Sequence, residues 1–260
     1  MFESVTLCDG RVTLYRGDSL ELLKAGVLKG FDAIVSDPPY GIGFQHGGGG
    51  VGGNLSHATA REDNLAPIHG DADPFDPRPW VEAAPRSPQK KPGCVGDPRI
   101  ILWGADHYMQ RLPEGGTLLA WDKHVGLGPD DSFVDCEWAW CGRKTKREVF
   151  RWLWKGVVAQ KGPLDMSPAH IKGGKGHGAA RFARVHVSQK PVALMRWCID
   201  KVRPPIGGVV LDPYMGSGST GVAALSLGYG FIGVEYEQKH FDTAAARIEQ
   251  AWSQMQGEAA

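Results

Sequence analysis

Short apolar runs alternate with amphipathic stretches along most of the chain. Phe31–Ser36 (FDAIVS), Arg99–Trp103 (RIILW), Thr117–Trp121 (TLLAW), Gly208–Leu211 and Phe231–Val234 have the length and residue types of buried strands, and Arg11–Tyr15 reads as a shorter one. Glu137–Cys141 and Val149–Trp154 flank the turn Gly142–Glu148 and predict an antiparallel hairpin. Between these lie stretches with helical spacing: Ser19–Leu28 with Ser19 as N-cap, Pro191–Val202 with proline in its first turn, Ser219–Leu227 and His240–Met255. Apolar strands alternating with helices predict an α/β fold, with a mostly parallel sheet covered on both faces.

The pattern breaks over residues 41–99. This stretch holds 11 Gly and 8 Pro in 59 positions, out of 36 Gly and 18 Pro in the chain. Gly47–Gly53 is glycine everywhere but Val51, which no helix or strand interior tolerates. The segment therefore reads as a long loop insertion with a short helix near Pro79–Ala84.

A chain of 260 residues with 42% hydrophobic and 22% charged side chains is long enough for a real core and too apolar for disorder. No apolar run approaches the ~18 residues of a membrane span, and Met1–Arg11 carries Glu3 and Asp9 rather than the core of a signal peptide. Five scattered cysteines fit reduced thiols of a cytoplasmic protein better than a disulfide framework, and no metal-ligand spacing stands out.

The formal net charge of zero argues at first against a nucleic-acid partner. Its distribution argues the reverse. Residues 1–141 carry 12 basic and 20 acidic side chains, net −8; residues 142–190 carry 12 and 2, net +10; residues 191–260 carry 5 and 7, net −2. The basic stretch includes Arg143, Lys144, Lys146, Arg147, Arg151, Lys172, Lys175, Arg181 and Arg184, and interleaves Trp152 and Trp154. A cationic segment of this size suits a polyanion, and a solvated face is the plainer alternative. Alternation within Arg151–Lys155 still places at least one of the two tryptophans in the core. A second flexible basic loop, Gly173–Gly178, reads either as a DNA-contacting loop or as a connector.

Two strand ends carry chemistry. Asp37-Pro38-Pro39-Tyr40 follows FDAIVS directly. Consecutive prolines stiffen the turn, which presents a carboxylate, carbonyl acceptors and an aromatic ring. That set fits a planar group bearing an exocyclic amine, although Asp-Pro also starts ordinary turns. The second is strand, turn and helix over Val209–Gly221, in which Gly216, Gly218 and Gly221 spell G-x-G-x-x-G. Glu235 ends the next strand, where an acid commonly takes ribose hydroxyls. The absence of Lys before Ser219 and Thr220 excludes a P-loop, while a nicotinamide cofactor stays open on these residues alone.

Together these segments resemble a known family. Asp37–Tyr40 is similar to the catalytic tetrapeptide of S-adenosylmethionine-dependent DNA amino methyltransferases. Leu211–Gly218 (LDPYMGSG) resembles their cofactor loop, and His186–Pro191 (HVSQKP) resembles the segment preceding that loop. The catalytic loop comes first and the cofactor loop last, as in the circularly permuted β-group. Pro74–Pro77 (PFDP), Trp103–His107 (WGADH) and Trp121–Lys123 (WDK) are similar to phage and prophage members. The resemblance implies a single catalytic domain over 1–260 with a Rossmann-like class I methyltransferase fold. It would have a mostly parallel seven-stranded sheet with an antiparallel hairpin, circularly permuted. The 41–99 loop would be an insertion, and 142–190 the region that contacts and recognises DNA.

The resemblance also implies residue roles. Asp37, Pro38, Pro39 and Tyr40 would hold a flipped base. Asp212, Pro213, Tyr214, Gly216, Ser217, Gly218 and Thr220 would line the methionine end of S-adenosylmethionine, and Glu235 would bind its ribose. Asp18 would contact the adenine of the cofactor, with a helix cap as the alternative. Ser188, Gln189 and Lys190 would close the cofactor pocket, with a solvated or phosphate-binding lysine as the alternative for Lys190. Arg143, Lys144, Lys146, Arg147, Lys172, Lys175 and Arg181 would contact DNA. The implied reaction is site-specific methylation of adenine N6 in double-stranded DNA, with no metal. Aspartate at position 37 favours adenine over cytosine N4. A homodimer and an accompanying restriction endonuclease stay open. So do an NAD(P)-dependent oxidoreductase and a catalytically silent DNA-binding relative.

Overall fold

The computed structural model describes residues 2–41, 70–88, 94–125, 136–155, 158–159 and 189–258. Its strands are β1 (Glu3–Leu7), β2 (Val12–Arg16), β3 (Ala33–Ser36), β4 (Ile100–Trp103), β5 (Thr117–Asp122), β6 (Cys136–Cys141), β7 (Val149–Arg151), β8 (Trp154–Lys155), β9 (Val158–Ala159), β10 (Val209–Asp212) and β11 (Gly230–Glu235). Its helices are α1 (Ser19–Lys24), α2 (Arg78–Ala83), α3 (Ala105–Tyr108), α4 (Val192–Val202), α5 (Ser219–Ser226) and α6 (Gln238–Glu258).

Nine strands form the main sheet, in the order β1-β2-β11-β10-β3-β4-β6-β5-β7, and β8 pairs with β9 separately. The centre, β2-β11-β10-β3-β4, is parallel throughout. Its strands alternate between two cores. Ala33, Val35, Ile101 and Trp103 face one side with Val192, Cys198, Val222 and Phe241 of α4, α5 and α6. Ile34, Ile100 and Leu102 face the other with Leu22 and Trp80 of α1 and α2. Trp80, Trp103 and Trp121 are fully buried, each stabilising the fold by about 1.5–3 kcal/mol or more through lost apolar exposure.

The α/β architecture with a mostly parallel sheet matches the sequence-based expectation; the strand count and one pairing differ. The sheet has nine strands rather than seven, with β1 and β7 at its two edges. The pattern reading omitted β1, although Leu7–Arg11 carries a hairpin signal, Asp9-Gly10. Cys8 and Asp9 adopt left-handed backbone there, and Leu7 pairs with Val12.

The hairpin expected between Glu137–Cys141 and Val149–Trp154 does not form. Both edges of β6 are taken, by β4 and β5, and both pairings are antiparallel. The chain passes the start of β5, where Thr117 bonds to Arg143 and Thr145, and β7 then pairs with β5 in parallel. Adjacency along the sequence favoured the hairpin, but β5 completes a six-residue ladder with β6 that the shorter β7 cannot match. The Ser19 cap is also corrected: the N-cap of α1 is Asp18, whose side chain accepts from the N–H groups of Leu20 and Glu21. Of the two tryptophans in Arg151–Lys155, Trp154 is buried.

Candidate active site

The five parallel strands end at one edge of the sheet, where open α/β folds place their reactive crevice. Asp18, Glu235, Asp212, Asp37 and Gly104 follow or end β2, β11, β10, β3 and β4 there. Ser36 Oγ donates to Asp212 Oδ1 at 2.6 Å, so the last residue of β3 is bonded directly to the last residue of β10. The two motif-bearing loops are thus parts of one site.

At the end of β3, Tyr40 OH donates to Asp37 Oδ1 at 2.5 Å. Lys190 Nζ donates to Asp37 Oδ2 at 2.5 Å and to Tyr40 OH at 3.2 Å. The same ammonium lies 3.1 Å from Glu137 Oε2, and Lys123 binds the other oxygen of Glu137 at 2.6 Å. Burial pushes the Asp37 carboxyl above the usual aspartate range, and Lys190 opposes that push. Burial works against the Lys190 ammonium, yet Asp37 and Glu137 outweigh it and hold Lys190 above the usual lysine range. Burial likewise opposes the Glu137 anion, but Lys190 and Lys123 prevail and bring its carboxyl down to about 2.

The Tyr40 ring is held from two sides. His107 stacks on it, with ring centres 5.0 Å apart and planes within 18°. Gly104 lies against it with φ of +74°, and a Cβ there would sit 2.1 Å from Tyr40 Cε1. Gly104→Ala should therefore expel the ring from its position. We expect a fall of about 10²-fold or more in kcat/KM for the substrate bearing the reacting group. Circular dichroism and cofactor affinity should stay unchanged, and a fully active alanine variant would show that the ring position is unimportant.

The glycine turn joins β10 to α5. Asp212 accepts from Ser36, from Thr220 Oγ1 at 2.6 Å and from the Tyr214 N–H at 3.1 Å. Burial nonetheless raises its carboxyl to about 6. Gly218 caps α5 in left-handed backbone, φ +79°, packed against Ala244 and Ile248 of α6. The Gly216 N–H donates to Glu235 Oε2 at 3.0 Å, and burial raises the Glu235 carboxyl to about 7. Tyr214 OH accepts from Trp80 Nε1 at 3.1 Å, and its ring meets Phe75 and Trp80 edge to face. The Pro74–Pro77 segment and α2 thus cover the turn. Ser217 is buried, and its carbonyl and hydroxyl accept from Arg247, which also reaches Ser219.

This edge offers what a nucleoside bearing an amino-acid tail requires: N–H groups of a helix N-terminus, a buried acid beside them and a second acid one strand away. Residues 114–246, just over half of the chain, match the N6/N4 family of DNA methylases. The chain belongs to that family. It is 27% identical to the type II methyltransferase M.ScaI of Streptomyces caespitosus over 92% of this chain and 81% of that protein. A shorter stretch, 25% of this chain and 18% of the relative, is 43% identical to the type II methyltransferase M.HinfI of Haemophilus influenzae. The fold is similar to that of TTHA0409 from Thermus thermophilus, with 16% identity, 95% of each chain covered and a TM-score of 0.51. Family membership sets aside the oxidoreductase reading of the glycine turn.

Several of the expected site residues make contacts within the protein. Asp18 commits its side chain to capping α1, at 2.8 Å from the Leu20 N–H and 3.0 Å from that of Glu21. Gly17, rather than Asp18, contacts Glu235, its N–H donating to the Glu235 carbonyl at 3.0 Å. Lys190 lies with Asp37 and Tyr40 instead of against the glycine turn. Gln189, whose carbonyl accepts from Trp154 Nε1 at 3.0 Å, fixes the backbone just before it.

Of the basic residues expected to contact DNA, Arg143, Lys144, Lys146 and Arg147 lie away from the catalytic loop. β6 runs antiparallel to β4 and ends at Cys141 opposite Ile101, so the following loop lies at the far edge of the sheet from Asp37. Arg143 donates to the Lys201 and Val202 carbonyls at the C-terminus of α4, and the Lys144 N–H donates to Asp97. Lys146 and Arg147 are exposed at that same edge. A count of charge along the sequence cannot report which end of a strand a loop occupies. Ser188, Lys172, Lys175, Arg181, Arg184, the Gly173–Gly178 loop and most of the 41–69 segment lie outside the described residues.

Glu137, Lys123, His107, Ser36 and Arg247 were not singled out as site residues. His107 ends the quoted WGADH segment, and Glu137 is a charge within an otherwise apolar strand (CEWAWC). Neither signal specifies a partner, because the partners lie tens of residues away in sequence.

Proposed function

We propose that this DNA methylase transfers the methyl group of S-adenosylmethionine to the N6 amine of adenine in double-stranded DNA. The observation that carries the reading is the bond between Ser36 and Asp212, which joins the amine-accepting turn to the cofactor turn. The target atom is inside the base stack, so the base must leave the duplex before it can enter the crevice. The Tyr40 ring supplies the stacking plate, and Asp37 with the Pro38 carbonyl accepts the two amine hydrogens. Those bonds fix the nitrogen lone pair toward the cofactor turn.

S-adenosylmethionine supplies a methyl group on a positively charged sulfur. In that transfer the N–C bond would form as the S–C bond breaks, the sulfur would keep the bonding pair and leave as a neutral thioether, and the methylated nitrogen would pass one proton to solvent. The chain contributes position and electrostatics rather than a nucleophile. Gly216, Ser217, Gly218 and Thr220 with Asp212, Pro213 and Tyr214 hold the amino-acid end, and Glu235 takes the ribose hydroxyls.

Aspartate at position 37 supports adenine over cytosine. The order of the loops, with Asp37 ahead of Gly216, supports the permuted arrangement. The likeness to type II methyltransferases supports site-specific modification of DNA. Mass analysis of nucleosides from DNA methylated in vitro tests the choice of base. We expect N6-methyladenine, and N4-methylcytosine in its place would overturn the adenine reading.

A further inference from the structure

Asp37 is useful to an amine only as an acceptor, yet it sits in surroundings that favour its protonated form. A protonated Asp37 would offer a hydrogen where the amine needs a lone pair. Facing Asp37 are Tyr40 on its own loop, Lys190 ahead of α4, Glu137 on β6, Tyr108 on α3, Asp212 on β10 and Cys198 on α4, with Lys123 behind Glu137. Of these, only Lys190 puts a positive charge in contact with the Asp37 carboxylate, at 2.5 Å and with only 8% of its side chain exposed. Lys190 is in turn shared with Glu137 at 3.1 Å, and Glu137 is held from the other side by Lys123 at 2.6 Å.

We propose that Lys190 is the counter-charge that keeps Asp37 an acceptor for the target amine, and that Glu137 is the positioning residue that keeps Lys190 charged and aimed at it. The inference rests on the methyl-transfer reading of the same site. Four side chains from separate parts of the chain form the row Lys123, Glu137, Lys190, Asp37, with opposite signs alternating along it. Each buried charge has an opposite neighbour, as buried ions require. Lys190 also reaches Tyr40 OH at 3.2 Å, so one ammonium orients both the acceptor and the stacking plate. The backbone at Lys190 is constrained by the Trp154–Gln189 bond before it and by α4 immediately after it.

The two residues act on opposite limbs of a pH profile. Without Lys190, burial and the Glu137 anion act on Asp37 against the Tyr40 hydroxyl bond alone, so Asp37 should take up a proton at higher pH. Without the Glu137 anion, Lys190 should lose its proton at lower pH, while Asp37 is relieved of a repulsive neighbour.

The test is single-turnover methyl transfer to DNA against pH, for wild type, Lys190→Met, Lys190→Arg and Glu137→Gln. For Lys190→Met we expect the acid limb to move up by about 1–3 pH units. Lys190→Arg should restore it, and Glu137→Gln should move the alkaline limb down with no rise of the acid limb. A lower rate in Lys190→Met with both limbs in place would overturn the proposal, because loss of packing alone slows every pH equally. Should that variant be inactive, infrared titration of the Asp37 carboxyl, assigned by its loss in Asp37→Asn, reads the same quantity. An unchanged Asp37 titration would overturn the proposal there too. Failure of wild type to methylate DNA would instead count against the methyl-transfer reading, and the infrared titration would still decide the role of Lys190.

Discussion

Replacing Asp37 by alanine should lower the rate of methyl transfer by about 10²–10³-fold, the scale seen when one preorganised polar group is removed from a reacting centre. Cofactor binding should persist, because the glycine turn is held by Asp212, Glu235 and Arg247 rather than by Asp37. The substitution removes the acceptor for the amine, and it also releases Tyr40 OH and one of the two carboxylates on Lys190. Lys190 keeps Glu137, so the charge left behind is partly compensated, and the cost in stability should be about 1–3 kcal/mol. Calorimetry with S-adenosylmethionine and single-turnover kinetics on the same preparation separate the two effects. An Asp37→Ala enzyme with near-normal turnover would refute the role given to the carboxylate.

The second large effect is expected at Asp212. Three donors from three places converge on this buried carboxylate: Ser36 on the catalytic strand, Thr220 in α5 and the Tyr214 N–H in the turn. Alanine leaves all three without an acceptor. We expect a loss of about 3 kcal/mol or more, seen as a fall in Tm of about 6–12 °C, together with at least about tenfold weaker cofactor binding. Asparagine retains one acceptor oxygen and should fall between wild type and alanine. Equal thermal stability of all three proteins would show that the link between the two loops is not structural.

The difference between Asp37 and Lys190 shows where sequence reading succeeds. Asp37–Tyr40 and Val209–Gly221 were legible because each is a local arrangement: a strand, a turn of fixed residue types, and in the second case a helix. Both turns fall at carboxyl ends of adjacent strands, as an α/β pattern implies. Lys190 was legible as part of a motif but not in its contacts, because Glu137 and Asp37 lie 53 and 153 residues before it and meet it only through β6 and β3 of the finished sheet.

Edge and direction were equally hidden. The basic run at 143–147 was conspicuous in the charge count, yet the antiparallel course of β6 carries it to the edge opposite Asp37. Asp18 was read either as a helix cap or as a cofactor contact, and its Oδ1 makes the cap, accepting from two backbone N–H groups at the start of α1. The long Gly/Pro-rich segment predicted loop, and its described part supplies Phe75 and Trp80 as a cover for Tyr214.

The most direct test of the account is transfer of a tritiated methyl group from S-adenosylmethionine to unmethylated DNA, with wild type and Asp37→Ala measured side by side. The account predicts label in the DNA with wild type, recovered on an exocyclic amine, and none above background with the variant. DNA binding without transfer by wild type, or equal transfer by both proteins, would contradict it.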